Sequence, residues 1–302
     1  MPASPFCNVL PAITTPLTAD DRVDHAFLAR HLRWQLDAGC AGVIPLGSLG
    51  EGATLDFDEK VAILRTLVAA AGGKPVLPGI AALSTRQAVA LAQAAEQAGC
   101  RGLMVLPAYV HKGEMREARA HVEAVLRSTK LPCMLYNNPP AYGNDLVPEI
   151  VARLSDVKTI VAIKESSGDT RRFVDLVNLT GDRFTLFCGL DDVVLEAIML
   201  GAVGWVSGLS NVFPKESNEL FALARAGRFD EAMAIYRWFM PLLHLDARAD
   251  LVQCIKLCEA MAGRGSERTR PPRLALEGAD RRQVEDAMRK ALASRPNLAK
   301  AA

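Results

Sequence analysis

One motif recurs along this chain: a helical stretch ends at a glycine, one or two residues follow, and a second glycine begins a strand. It occurs at residues 37–44, 97–105 and 199–207, which read DAGCAGVI, QAGCRGLMV and MLGAVGWVS. A glycine directly after a helix is a C-cap signal, because glycine adopts the left-handed conformation without strain. The recurrence therefore predicts a fold in which helices and strands alternate.

Strand candidates and amphipathic stretches alternate in this way from residue 9 to residue 209. Strands are predicted at 9–15, 42–47, 76–81, 102–107, 134–138, 159–164, 185–189 and 204–209. Helical periodicity falls between them, at 25–38, 58–71, 85–98, 114–128, 148–154, 170–179 and 192–200. Eight strands alternating with helices predict an α/β fold, the (β/α)8 TIM barrel. The alternative is an open doubly wound sheet, but the first strand is not followed by the GxGxxG turn that usually accompanies that fold.

The strand pattern stops after Asn211, and the remaining sequence is helical. Helices are predicted at 214–226, 229–243, 248–261 and near 281–292. No polar linker separates them from the preceding residues. We therefore predict a barrel over residues 1–212 and C-terminal helices over residues 213–302 that pack on it as part of a single structural unit.

The charge balance limits the class of partner. The 302 residues carry a formal net charge of +1, which gives no basic field for nucleic acid or an anionic membrane. No apolar run approaches the roughly 18 residues of a membrane span, and the first six residues lack a signal-peptide pattern. Seven cysteines without a CxxC pair indicate reduced thiols. These features predict a cytoplasmic protein that binds a small molecule, with no nucleic-acid and no membrane partner.

Residues 159–169 read TIVAIKESSGD, a buried strand that ends in a cluster of reactive side chains. Alternation along the strand places Lys164 on the same face as Ile160 and Ala162. Loss of hydration on that face would lower the pKa of the lysine and leave a neutral amine able to attack a carbonyl carbon. The alternative is a lysine that extends to solvent or pairs with a carboxylate such as Glu165.

Further polar residues and glycines fall at the carboxyl ends of the predicted strands, where the chemistry of such barrels is located. They are Ser48, Leu49, Tyr109, Tyr136, Asn138, Ser166, Gly189, Asp191 and Ser207. The hydroxyl and backbone N–H groups of the GSLGE turn at 47–51 can hold an anion, and a phenol near a lysine can move protons during imine formation. Alone, the turn could be merely a tight connection and Tyr136 a packed aromatic. Together, the residues suit a carbonyl substrate that carries a carboxylate.

Two other classes of function remain open at this point. A ligand-sensing barrel without catalysis would need the anion site but not a lysine together with a tyrosine. A metal-dependent aldolase would need His or carboxylate ligands at several strand ends, and the five histidines fall mostly on predicted helices or loops without ligand spacing. Both alternatives therefore explain less of the sequence than covalent catalysis does.

In its order of motifs, the chain resembles the dihydrodipicolinate synthase and N-acetylneuraminate lyase family of class I, Schiff-base lyases. The motifs are GSLGE (47–51), PAY (107–109), YNNP (136–139), IKE (163–165), CGLDD (188–192) and RPPRLAL (270–276). The resemblance covers nearly the whole chain. It implies a (β/α)8 barrel, no metal and no organic cofactor, and a homo-oligomer, either a dimer or a tetramer.

The resemblance also implies roles for individual residues. Lys164 would form the Schiff base and Tyr136 would shuttle protons. Ser48 and the Leu49 N–H would hold the substrate carboxylate, and Tyr109 would supply an auxiliary hydroxyl in its own or a neighbouring subunit.

The sequence departs from the family pattern in ways that narrow the substrate. Ala141 stands where dihydrodipicolinate synthases carry an arginine for a second carboxylate, and Leu49 replaces the second hydroxyl of their GTTGE turn. Gly208 stands where a sialic acid lyase would have a serine. The sequence is similar to family members that deaminate 1-pyrroline-4-hydroxy-2-carboxylate, and we expect a short hydroxylated 2-oxo acid or cyclic imine. Pyruvate-releasing aldolases or dehydratases of short 2-keto-3-deoxy sugar acids, and a true dihydrodipicolinate synthase, are the alternatives.

Overall fold

The computed structural model describes residues 4–108, 110–111 and 114–298. Tyr109, for which the sequence predicts an auxiliary catalytic role, lies outside these described residues.

A curled parallel sheet forms the centre of the molecule. Its strands, as far as the structure describes the chain, are β1 (Asn8–Pro11), β2 (Gly79–Ile80), β3 (Leu103–Val105), β4 (Cys133–Asn137), β5 (Ile160–Glu165), β6 (Thr185–Cys188) and β7 (Gly204–Ser207). Their order is β1-β7-β6-β5-β4-β3-β2, and every pair is parallel. This order is that of an α/β barrel, which confirms the predicted fold class.

The second predicted strand, at 42–47, is reduced to two bridges that join the edges of the sheet. Ile44 pairs with Ala12 next to β1, and Val43 pairs with Val76 ahead of β2. The Ile44 N–H donates to Pro11 O at 2.8 Å, and the Leu77 N–H donates to Val43 O at 2.9 Å. The ring of parallel segments is therefore continuous, although this segment turns away after two residues.

Helices cover the outside of the barrel and then continue past it. They are α1 (His25–Asp37), α2 (Phe57–Ala70), α3 (Thr85–Gln97), α4 (Met115–Arg127), α5 (Pro139–Tyr142), α6 (Pro148–Ala152), α7 (Arg171–Thr180), α8 (Val194–Met199), α9 (Pro214–Arg225), α10 (Phe229–Leu243), α11 (Leu251–Met261) and α12 (Gly278–Ala293). No helix of the described residues is both long and apolar enough to cross a membrane. The bounds lie close to the predicted ones, except that the sequence analysis missed the short helix α5.

The interior of the barrel is a separate hydrophobic cluster that ends in polar groups. Met134 of β4 and Ala162 of β5 belong to this cluster. Because side chains alternate along a strand, Tyr136 and Lys164 come next on the same inner face. The two are paired in register and are both buried. The closely packed barrel interior thus places a phenol beside a lysine amine.

A buried ion pair connects the barrel to the C-terminal helices. Lys256 of α11 donates from Nζ to the Glu51 carboxylate at the end of the GSLGE turn, and both side chains are only 1% exposed. The Glu51 carboxylate also accepts from the Arg270 N–H at 2.8 Å. Thr14, just after β1, donates to Glu259 of α11 at 2.8 Å. The domain boundary at 212/213 stays a prediction, but these contacts join the two parts through buried polar groups.

Candidate active site

Lys164 lies at the carboxyl end of β5 with its amine over an aromatic ring. Its Nζ atom is 4.0 Å from the centroid of the Tyr136 ring. The neighbouring Glu165 points to the opposite face, where it accepts from Asn137 at 3.0 Å and from the Ser167 N–H at 2.6 Å. Glu165 is therefore engaged elsewhere, and Lys164 is neither extended to solvent nor held by this carboxylate.

Burial lowers the pKa of Lys164 below its ordinary value, because the ammonium form loses hydration in the barrel interior. Asp246, Tyr142 and Asp191 act in the opposite direction, since a negative charge on any of them favours the ammonium form. The neutral amine is the form that attacks a carbonyl or imine carbon. The site thus combines an accessible nucleophile with groups that can stabilise the cationic iminium that follows.

The Tyr136 hydroxyl is held in place by Asn138, two residues further along. Asn138 Nδ2 donates to this hydroxyl at 2.9 Å, and Asn138 Oδ1 caps α5 by accepting from the Ala141 N–H at 3.1 Å. Burial raises the pKa of Tyr136 to about 12, so the phenol keeps its proton. Asn138, predicted as a substrate-binding residue, lines the cavity, and its amide also fixes the direction of the Tyr136 hydroxyl.

Strained backbone lies directly before the GSLGE turn and at its last residue. Leu46 and Glu51 have φ angles of +64° and +56°, a left-handed conformation that is uncommon for residues other than glycine. The backbone bonds of the turn run from Glu51 N–H to Ser48 O and from Gly52 N–H to Gly47 O, and they do not use the Leu49 N–H. Ser48 and Leu49 both line the cavity in front of Lys164. A substrate carboxylate could therefore bind to the Ser48 hydroxyl and the Leu49 N–H.

Tyr142 is a site residue that the sequence analysis did not find. Its hydroxyl shares a short hydrogen bond with Ser48 Oγ. Its ring stands edge to face against Tyr136, with centroids 5.8 Å apart and planes at 83°. A signal was present, because Asn138 followed by Pro139 is a helix start that returns the chain to the site within one turn. The site therefore contains two phenols from one segment.

Gly189, directly after β6, lies against the stem of Lys164. A Cβ atom at this position would be 2.0 Å from Ser166 Oγ and 2.6 Å from Lys164 Cε. Ser166 is buried, and a hydrogen bond from its side chain acts to lower the pKa of Tyr136, against the larger effect of burial. The two predicted site residues therefore contribute differently: Gly189 leaves space for the lysine, and the Ser166 hydroxyl lies beside it, next to Tyr136.

Asp191 and Ser207, both predicted to bind substrate, lie deeper than the cavity and bind each other. The Asp191 carboxylate accepts from Trp205 Nε1 at 2.8 Å, from the Leu209 N–H at 2.7 Å, from the Gly208 N–H at 3.2 Å and from Ser207 Oγ at 3.3 Å. Burial raises the pKa of Asp191 to about 6. The structure therefore places this carboxylate where it fastens the turn after β7, and neither residue lines the cavity.

Asp246, between α10 and α11, is a second residue that sequence reasoning missed. It lines the cavity together with Lys164, and its Oδ2 accepts weakly from the Asp191 N–H at 3.4 Å. A Cβ atom at Gly208 would be 2.3 Å from Asp246 Oδ1. The glycine at this position therefore makes room for a carboxyl group that comes from the C-terminal helices.

The remaining cavity wall is largely apolar, with Ala141 at the position that could have carried an arginine. In the lining that the structure describes, Lys164 is the only basic side chain. Within residues 4–108, 110–111 and 114–298, no group of three or more His, Cys, Asp or Glu side chains is arranged to hold a metal ion.

A family model for the dihydrodipicolinate synthetase family matches residues 5–291 of this sequence. The chain belongs to the dihydrodipicolinate synthetase family. Among curated relatives, a 4-hydroxy-tetrahydrodipicolinate synthase of Pseudomonas savastanoi pv. phaseolicola is 34% identical over 232 residues, which cover 76% of this chain and 80% of that protein. The resemblance inferred from the motifs is thereby confirmed.

Solved structures of dihydrodipicolinate synthetase family members share the architecture. A dihydrodipicolinate synthase of Bacillus anthracis is 28% identical, with a TM-score of 0.91 over 98% of this chain and all of that one. A family member of E. coli K12, solved in complex with pyruvate, is 28% identical, with a TM-score of 0.89 over 95% of this chain and 99% of that one. A monomeric variant of dihydrodipicolinate synthase is 27% identical, with a TM-score of 0.89 over 96% and 98% of the two chains. The protein is thus an enzyme, a lyase of the Schiff-base type that acts on a small molecule.

Proposed function

We propose that this lyase converts 1-pyrroline-4-hydroxy-2-carboxylate into 2-oxoglutarate semialdehyde and ammonia through a Schiff base on Lys164. The observation that carries the proposal is the pairing of the buried Lys164 amine with the Tyr136 ring, 4.0 Å away, in a cavity with one anion-holding turn. A substrate with one carboxylate, one electrophilic carbon and one hydroxyl fits that set of groups.

The chemistry follows from the groups around the cavity. Lys164 Nζ adds to the ring imine carbon, and the ring C–N bond breaks so that the nitrogen leaves as a primary amine. Loss of a C3 proton and departure of the 4-hydroxyl as water, with Tyr136 as the proton donor, give an unsaturated amine that tautomerises to an imine at C5. Two water molecules then hydrolyse the two imines, which frees ammonia and regenerates the lysine. One water is lost and two are gained, so the net reaction consumes one water.

Other residues take supporting roles in this proposal. Ser48 Oγ and the Leu49 N–H bind the carboxylate, as the glycine turn at a strand end favours. The Ser166 hydroxyl, which lies against the cavity-lining Gly189, binds the substrate hydroxyl. The auxiliary role of Tyr109, assembly into a dimer or tetramer and a cytoplasmic location belong to the same proposal.

Two alternatives are each favoured by one observation. The name of the Pseudomonas relative favours 4-hydroxy-tetrahydrodipicolinate synthase. Ala141 disfavours it, because a methyl group cannot bind the second carboxylate. The pyruvate complex of the E. coli relative favours an aldolase or dehydratase that acts on a short 2-keto-3-deoxy sugar acid and releases pyruvate.

A panel assay separates these functions. Each substrate is incubated with the purified protein, and ammonia, pyruvate and semialdehyde are measured separately. We expect ammonia and semialdehyde in equal amounts from 1-pyrroline-4-hydroxy-2-carboxylate, and neither product with Lys164→Arg. Pyruvate release without ammonia would contradict the proposal in favour of the aldolase, and consumption of pyruvate with aspartate semialdehyde would favour the synthase.

A further inference from the structure

Asp246 is the one acidic side chain among the described residues that line the cavity. It does not come from a barrel strand but from the turn between α10 and α11. It is half-buried, and its hydrogen bond within the described part of the chain is a long one, 3.4 Å, from the Asp191 N–H to Oδ2. A carboxyl group with so little protein bonding, facing the same space as the reactive lysine, is available to a ligand.

The local packing reserves space for this carboxyl group. A Cβ atom at Gly208 would be 2.3 Å from Asp246 Oδ1 and 2.9 Å from Ile255 Cδ1. Any side chain at position 208 would therefore force Asp246 to move. The absence of a side chain at Gly208 thus leaves the space that the Asp246 carboxyl group occupies.

The charged groups around Asp246 define its electrostatic character. Asp191 and Asp192 disfavour its ionisation and Lys164 favours it, while Asp192 is itself paired with His244 at 2.9 Å. Burial raises the pKa of Asp246 well above its ordinary value. A cation bound next to it would stabilise the ionised form, and a second anion would be repelled by the local excess of carboxylates.

We propose that Asp246 selects the substrate: its carboxylate binds a cationic nitrogen that lies beyond the carbon attacked by Lys164, and it excludes ligands with a second carboxylate there. The inference rests on the proposed function, because the amine released when the pyrroline ring opens is such a nitrogen. It names the class of ligand that this site accepts, a 2-oxo acid or cyclic imine with one carboxylate and one basic nitrogen.

The test uses three probes that lack the 4-hydroxyl and so require no turnover. These are pyruvate as the reference, 1-pyrroline-2-carboxylate as the nitrogen-bearing probe and 2-oxoglutarate as the dianion. For each probe we measure the concentration that halves the labelling of Lys164 by radioactive pyruvate and borohydride. The variants are Asp246→Asn and Gly208→Ala, which displaces the carboxyl group without removing it. The control is Asp182→Asn, which removes an exposed carboxylate ahead of β6, at the end of the barrel opposite the cavity.

Relative to pyruvate, Asp246→Asn is expected to weaken competition by 1-pyrroline-2-carboxylate about tenfold or more, since a charge-assisted hydrogen bond is lost. Competition by 2-oxoglutarate should strengthen. Gly208→Ala should change both ratios in the same direction, and Asp182→Asn should change neither. Unchanged ratios in Asp246→Asn, or loss of the pyruvate adduct itself in a folded variant, would overturn the selective role. If the variants changed the ratios as expected but the wild-type protein released no ammonia from 1-pyrroline-4-hydroxy-2-carboxylate, only the proposed function would fail.

Discussion

Lys164 and Gly189 lie on adjacent strand ends, and the stem of the lysine fills the space that a side chain at 189 would occupy. A Cβ atom there would be 2.6 Å from Lys164 Cε and 2.8 Å from Lys164 Cγ. We expect Gly189→Ala to displace the amine and to slow imine formation with pyruvate by about a hundredfold, since misplacement by about 1 Å has effects of that size. The rate of adduct formation on Lys164 measures this.

The matched control for that variant is Gly72→Ala. Gly72 has a φ angle of +55°, and a Cβ atom added to it would have no described atom within 4 Å, so alanine adds backbone strain and no contact. The left-handed conformation should cost about 1 kcal/mol of stability with alanine, and adduct formation should be unchanged. Equal loss of adduct in both variants would mean that the effect of Gly189→Ala is on stability and not on the lysine.

Lys164 should be the residue that borohydride traps with a small 2-oxo acid. Reduction of the imine fixes the ligand carbon on the peptide that contains Lys164, and mass spectrometry locates it. Lys164→Arg keeps a positive charge but cannot form the adduct, because guanidinium stays protonated. An adduct on a different lysine, or none with any small 2-oxo acid, would contradict the mechanism.

The rate of trapping should depend on pH in a direction set by burial. Because burial lowers the pKa of Lys164 from its ordinary 10.5, the neutral amine becomes the major form at a lower pH than in solution. The rate should rise with pH and level off below 10.5, while Tyr136, with its pKa raised to about 12, still carries its proton. A midpoint at or above 10.5 would show that the amine is not desolvated. Asp246→Asn should move the midpoint to lower pH, since Asp246 favours the ammonium form.

Removal of one hydroxyl at a time should distinguish the roles of Tyr136 and Tyr142. Tyr136→Phe should lower kcat about a hundredfold or more and leave KM nearly unchanged, because the hydroxyl moves protons and the ring still fills its volume. Tyr142→Phe should also lower kcat, and it should raise KM because Ser48 loses its partner. Steady-state kinetics of ammonia release measure both constants. If Tyr136→Phe kept the wild-type kcat, Tyr136 would have only a packing role and no role in proton transfer.

Asp191 should prove necessary for stability. Asp191→Ala leaves Trp205 Nε1–H and the Leu209 N–H buried without their acceptor, which should lower the free energy of unfolding by about 3 kcal/mol. Urea denaturation measures this loss. A variant of unchanged stability with impaired substrate binding would return Asp191 to the substrate-binding role predicted from the sequence.

The barrel and the inward direction of Lys164 could be predicted because both follow from local patterns. Alternation puts Lys164 on the same face as Ala162, which lies in the barrel interior. Ile160 was predicted on that face too, but the register shifts at the start of β5 and Ile160 packs in the outer cluster. The glycine-capped joints then set the order of helices and strands. The strand at 42–47 was predicted too long, because the backbone turns into the strained GSLGE segment after Ile44, and local composition does not reveal that strain.

The rest of the site depends on contacts between distant parts of the chain. Asp246 follows a helix in a polar segment, and nothing nearby in the sequence indicates that Gly208 leaves space for it. Asp191 and Ser207 occur at strand ends like substrate-binding residues, yet their polar atoms bind each other and the adjacent backbone. Position along a strand therefore identifies which residues are near the site, but the direction of each side chain is set by packing.

The buried pair of Glu51 and Lys256 links substrate binding to the integrity of the C-terminal helices. If those helices detached, Glu51 would lose its counter-ion in the interior, at the last position of the turn that we propose binds the carboxylate. The strained backbone at Glu51 would then have little to keep it in its left-handed conformation. By linkage, a ligand bound at Ser48 would stabilise the packing of α11, which carries Lys256, against the barrel.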